Sequence, residues 1–125
     1  MTNGKNKKFD LEERTAIFAE CIIAFTKLIS QNPINNPLIT QIVKSGTSIG
    51  ANYCEADNAE SKKDFVHKIG ICKKEAKETR YWVRIIAKAN PEFQEKARIL
   101  WQEASELLFI FNAIINKTNN QAKKI

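Results

Sequence analysis

An all-α fold, an antiparallel up-down-up-down four-helix bundle, is what this sequence predicts, and three observations predict it. Apolar residues recur in steps of four and three along four separate stretches, the spacing of one helix face. Between those stretches stand short polar breaks marked by proline or by capping residues. Glycine (4) and proline (3) are too scarce among the 125 residues for a turn-rich β fold. The helices are expected at about residues 10–30, 37–57, 62–89 and 91–117. They form a single domain over 1–125, with flexible termini at 1–8 and 118–125.

The first helix starts at Asp10, which forms a capping arrangement with Glu13, while Phe9 ahead of it staples onto the first turn. Leu11, Phe18, Ile22, Phe25 and Ile29 then mark its buried stripe. The stretch from Ser30 to Pro37, interrupted by Pro33, ends it. Asn36 followed by Pro37 is a cap with proline at the first helical position, and it opens a second helix through Leu38, Ile42, Ile49 and Ala56. The apolar period lapses from Asp57 to Glu60, and Ser61 with Asp64 restarts it. Along the third helix, Phe65, Ile69, Cys72, Ala76, Thr79, Val83 and Ile86 trace the seam of a helix packed nearly parallel to its neighbours. Asn90-Pro91 repeats the cap-then-proline signal. Phe93, Ala97, Leu100, Ala104, Leu107, Phe111 and Ile114 give the fourth helix the same stepping. Connections this short force consecutive helices to run antiparallel.

Composition narrows the function classes. No apolar run approaches the ~20 residues of a membrane span, and no apolar segment follows the basic stretch from Met1 to Lys8, so it is not a secretory signal. Cys21, Cys54 and Cys72 are odd in number, far apart and set among aliphatic residues. They read as reduced core cysteines of a cytoplasmic protein, neither a disulfide frame nor a metal site. The single histidine, His67, has no nearby cysteine or second histidine, and no glycine-rich loop cradles a phosphate. Glu55, Glu75 and Glu78 lack the Glu-x-x-His units of di-iron bundles and read as partners of Lys or Arg. No catalytic residue, metal, cofactor or small-molecule substrate is therefore expected. A membrane-surface role is also disfavoured, because the charged face of the fourth helix is mixed in sign and its apolar face is needed for the core.

The net charge is +6, and its distribution says more than its size. Residues 1–61 carry 6 basic and 7 acidic groups, residues 91–125 carry 5 and 4, and residues 62–90 carry 9 and 3. The excess thus lies on the third helix. Lys73, Lys77, Arg80, Arg84 and Lys88 line one of its flanks, a row suited to phosphates. The plain alternative is a solvated face, and no aromatic residues interleave with the row as a stacking platform requires. A second row, Ile71, Glu75, Glu78, Trp82 and Ile85, is either the edge of a wide core stripe or a subunit interface. In the interface reading Trp82 is the anchor and the carboxylates pair with a neighbour's arginine.

The second helix carries a polar row of its own: Gln41, Ser45, Ser48, Asn52 and Glu55. A solvated face accounts for it, but it lies beside the apolar stripe, where each unpaired polar group costs about 1–3 kcal/mol. A buried polar network, fixing register between helices or between subunits, is the favoured reading. Gly46 and Gly50 on the other flank let another helix approach closely.

Two stretches, QIVKSGTSIGANYCEA (Gln41 to Ala56) and SKKDFVHKIGICKKEAKETRYWVRII (Ser61 to Ile86), go beyond pattern. With the opening FDLEER (Phe9 to Arg14), they resemble the bacterial four-helix-bundle family named for open reading frames in intervening sequences of 23S ribosomal RNA genes. The family's Gln, Ser-Ile, Asn and Glu fall here on Gln41, Ser48-Ile49, Asn52 and Glu55. Its third-helix signature falls on Asp64-Phe65, Glu75, Glu78, Thr79, Tyr81 and Trp82. The resemblance covers about residues 9–116. It implies a ring-like homopentamer without enzymatic activity. The family is also similar to accessory proteins of diversity-generating retroelements, basic pentamers that bind a reverse transcriptase and nucleic acid. Gly46, Gly50 and Cys54 depart from the residues common in relatives, which bears on the packing of the second helix.

Two functions follow as expectations. One is an oligomeric protein that binds structured RNA or a ribonucleoprotein through the basic face of the third helix. The other is a pentameric protein-interaction adaptor, for example for a reverse transcriptase, that makes no direct contact with nucleic acid.

Overall fold

The computed structural model describes residues 7–123, and the side chains of residues 11–121. Four helices follow one another: α1 (Lys7–Leu28), α2 (Asn35–Asp57), α3 (Lys62–Ala89) and α4 (Gln94–Lys123), with a 3₁₀ turn at Pro91–Phe93 ahead of α4. Each seam runs antiparallel. Gly46 and Gly50 of α2 face Ile22 and Thr15 of α1. Ser45 and Glu55 of α2 bond to Thr79 and Lys68 of α3. Arg80 of α3 reaches Ser105 of α4, and Arg14 of α1 grips Glu103 and Glu106 of α4.

The four apolar stripes meet in one core. Leu11, Phe18, Ile22, Phe25 and Ile29 are buried, as are Ile42, Ile49, Ala56, the α3 seam from Ile69 to Ile86, and Ala97 to Phe111 of α4. Leu38, Phe65, Phe93 and Ile114 are half-buried against it. Phe25 meets Phe93 edge to face, with centroids 6.4 Å apart at 84°, closing the end of the core. The glycines of α2 explain its approach to α1. A Cβ at Gly46 would lie 2.9 Å from Cγ1 of the fully buried Ile22, and one at Gly50 would lie 3.0 Å from Thr15 Oγ1. The absence of a side chain at these two positions thus makes room for α1.

The helix starts differ from expectation in instructive ways. α1 begins at Lys7, ahead of Asp10; the expected Asp10 cap and Phe9 staple concern side chains outside those described, as does the expected flexibility of residues 1–6, 124 and 125. α2 begins ahead of Asn36. Asn32 Oδ1 accepts the N–H groups of Ile34 and Asn35 at 3.0 and 2.7 Å, and the Asn36 N–H donates to Asn32 O. The cap-then-proline pair is therefore Asn32-Pro33. Asn36 instead braces that turn, its Oδ1 accepting the N–H of Asn32. The first cap of α3 is as expected, with Ser61 Oγ accepting from the Asp64 N–H at 3.1 Å.

Asn90 turns its amide inward rather than capping α4. It exchanges two hydrogen bonds with Asn35, at 3.0 and 2.9 Å, and both amides are buried. The spare N–H groups go to Ser30 O and Ile86 O, so the pair is satisfied and ties the α1–α2 turn to the α3–α4 turn. At its far end α4 runs past residue 117 to Lys123, since neither glycine nor proline follows to stop it. Of the cysteines only Cys72 lies in the core, and burial pushes its thiol up to about 12. Cys21 and Cys54 are exposed, a correction to their reading as core residues; all three are free. They sit one position off the apolar seam, where neighbouring aliphatic residues in sequence do not mean burial.

Candidate nucleic-acid interface

α3 packs against α2 on one side and α4 on the other, so each of its rows borders a different neighbour. On the α4 flank, Lys77, Arg84 and Lys88 are exposed, while Lys73 and Arg80 are half-buried. Arg80 Nη1 donates to Ser105 Oγ at 3.2 Å, and its guanidinium stands 5.1 Å from the ring centroid of Trp101, a cation–π distance. Ser105 in turn donates to Trp101 O at 2.9 Å. Among the described residues, no side-chain partner takes up Lys73, Lys77, Arg84 or Lys88. Arg84 and Lys88 line a groove with Pro91, Gln94, Arg98 and Trp101; of these cations, Arg98 is paired with Glu95.

Trp101 is the functional candidate that the sequence pattern did not single out. Along the chain no aromatic interleaves with the basic row, yet the turn at Pro91–Phe93 folds α4 back so that Trp101 stands beside it. A signal was present: Trp101, Ser105 and Leu108 form a four-three row bordering the α4 seam, the mark of a helix flank that meets a neighbour.

On the α2 flank, Ile71, Glu75, Glu78, Trp82 and Ile85 are all half-buried. Trp82 packs against the core and its Nε1–H donates to Glu78 Oε2 at 3.1 Å. Tyr81 crosses it edge-on at 5.0 Å. The Glu75 carboxyl is held above its ordinary value, first by burial and then by the charge of Glu78, with Lys74 and Lys44 pulling the other way. The row is therefore neither consumed by its own core nor fully in solvent.

The polar row of α2 lies on this same face. With Glu55 opposite Lys68 and Ser45 opposite Thr79, the antiparallel register puts Ser48 at the level of Glu75 and Gln41 at that of Trp82. Burial within the subunit, one of the two readings offered above, does not describe these positions: Gln41, Ser48 and Asn52 are half-buried and Glu55 is exposed. Ser48 Oγ bonds to Lys44 O and Asn52 Nδ2 to Ser48 O, each within its own helix. Short polar side chains in mid-helix reach the preceding turn more easily than a neighbouring helix. Only Ser45 is fully buried. Its hydroxyl lies 2.9 Å from that of Thr79, which donates to Glu75 O at 2.8 Å, so Ser45 supplies the proton between them.

His67 is exposed. Among the described residues no group of three His, Cys, Asp or Glu side chains is placed to hold a metal ion, and no helix is long and apolar enough to cross a membrane.

A family model described as 23S rRNA-intervening sequence protein matches residues 7–113. Among solved structures, the chain is similar to a protein of unknown function from the S23 ribosomal protein family of Bacteroides thetaiotaomicron VPI-5482, a crystal structure at 1.70 Å resolution. The two superpose with a TM-score of 0.73 at 31% identity, over 83% of this chain and 96% of that one. No curated protein matches the chain.

Proposed function

The chain belongs to the 23S rRNA-intervening sequence protein family, and from that premise we propose that it is a non-enzymatic, oligomeric bundle that binds structured RNA, alone or within a ribonucleoprotein, through the α4 flank of α3. The observation that carries this reading is the set of cations on that flank. Four of its five basic side chains have no partner among the described residues, although acidic residues are available elsewhere on the chain. Lysine and arginine held in a row without counter-charges bind a phosphate backbone by releasing its condensed ions.

Assembly belongs to the α2 flank. There a half-buried row of Trp82, Ile71 and Ile85 borders Glu75, whose charged form its own subunit disfavours, first through burial. A neighbouring subunit that covers the row and offers a cation to Glu75 relieves both costs. The family resemblance implies five subunits in a ring. Five basic flanks on one ring raise affinity by avidity without any new contact.

The test is a salt titration of RNA binding, read by fluorescence anisotropy, with the double variant Arg80→Glu, Arg84→Glu beside the parent. Affinity of the parent falls steeply from low to moderate salt. The variant loses about 100-fold or more at low salt, while light scattering finds its subunit number unchanged. Binding that is indifferent to both salt and charge reversal would sink the reading. If a protein partner is then captured equally well by parent and variant after nuclease treatment, the adaptor function replaces it.

A further inference from the structure

Resting on the RNA-binding reading above, the groove beside Trp101 carries a more specific one. Trp101 is 40% exposed, so part of its indole surface is open to a ligand. Its immediate surroundings are cationic: Arg80 lies over the ring, and Arg84 and Lys88 line the same groove of about 480 Å³, a volume in the range of small-ligand sites. The floor is apolar, formed by Val83, Ala87 and Ala97. A protein surface docking here would have to strip water from several cations at once. An anionic ligand that also presents a flat π face meets no such penalty, since its charge satisfies the cations and its ring covers the indole.

A nucleotide has that combination, but its base is free to stack only when it is unpaired. We propose that the groove takes an unpaired nucleotide of the bound RNA, its base stacked on Trp101 and its phosphate held by Arg84 and Lys88. The flank then does two things. The row from Lys73 to Lys88 tracks the backbone regardless of sequence, and Trp101 selects RNA with a bulge or an open loop over a continuous helix.

The experiment compares a blunt RNA duplex with the same duplex carrying one bulged adenosine, titrated against the parent and Trp101→Leu, which keeps the apolar bulk and removes the π face. The parent binds the bulged RNA roughly ten-fold more tightly than the blunt one, the worth of one base–aromatic stack. Trp101→Leu abolishes the discrimination, so that it binds the bulged and the blunt RNA with equal affinity. In Trp82→Phe, where Trp101 is the sole indole, the bulged RNA quenches fluorescence and the blunt duplex does not. If both RNAs bind with steep salt dependence but without discrimination, the stacking site is overturned and the RNA-binding reading stands. If neither RNA binds, that reading falls and takes the groove with it. Adenosine monophosphate quenching Trp101 as tightly as the bulged RNA does would make this a free-nucleotide site and overturn the proposal.

Discussion

The two flanks of α3 each hold one of the two tryptophans of the chain, and they treat it in opposite ways. Trp82, on the α2 flank, is half-buried, and its N–H is tied to the carboxylate of Glu78. Trp101, contributed by α4 to the other flank, is more open and has a guanidinium over its ring. An indole whose polar edge is already satisfied offers only its apolar body, which suits a dry contact with another protein surface. An indole set among cations, with ring surface exposed, suits a ligand that brings negative charge and an aromatic plane. The same residue type thus presents two different surfaces, set by the sign of its neighbours. What separates them in space is the core seam from Ile69 to Ile86.

The strongest way to break this comparison is Trp82→Ala. Truncating a half-buried indole packed on the core costs about 2 kcal/mol, less than the 3–5 of a fully buried site. That loss appears in a denaturant titration of the dilute chain. If the α2 flank is the assembly surface, light scattering also records fewer subunits, while affinity for RNA, measured where only single subunits are present, stays within about two-fold. A Trp82→Ala chain that keeps its subunit number would remove the assembly role from this flank. Trp82→Phe should restore most of both.

A smaller effect tests the seam that separates the flanks. Thr79 and Ser45 are both fully buried, and Thr79 both accepts from Ser45 and donates to Glu75 O. Thr79→Val leaves the Ser45 hydroxyl with only Ile42 O, 3.5 Å away, and costs about 1–2 kcal/mol. Ser45→Ala leaves Thr79 still donating along its own helix and costs about half as much. Neither should change RNA affinity or subunit number. A change in either property would mean that the flanks are coupled through the core rather than independent.

Much of this arrangement could be read along the chain, and the exceptions share a cause. The seams from Leu11 to Ile29 and from Ile69 to Ile86 were legible because burial on one helix face imposes steps of three and four, a local constraint. The choice between Asn32-Pro33 and Asn36-Pro37 was not. The two dipeptides are chemically identical and four residues apart; Asn32 takes the cap bonds in a turn that is tied, through Asn35, to Asn90, distant in sequence. The polar row of α2 was visible as a pattern, but its half-burial depends on how far α3 covers it. Trp101 escaped for the same reason. Its helix is separated from the basic row by a turn, and a row-by-row reading compares residues only with others on their own helix.

The subtlest test turns on Glu75. Its carboxyl titrates above the unfolded value of 4.5 because burial and Glu78 disfavour its charge more than Lys44 and Lys74 favour it. The charged form is therefore worse off folded than unfolded. Its contribution to stability is fully present below pH 4.5 and is lost as the pH rises through the elevated folded value. Glu75→Gln removes that loss. In the dissociated chain the variant should melt slightly higher than the parent at neutral pH, with the gap closing as the pH falls toward 4.5. Within the assembly the sign should invert. A cation from a neighbouring subunit would turn the same carboxylate into a favourable partner, and Glu75→Gln would then weaken association at neutral pH. Melting curves at low and high protein concentration separate the two cases. A variant stabilised equally at both would show that no neighbour's charge reaches Glu75, and would count against the α2 flank as the assembly surface.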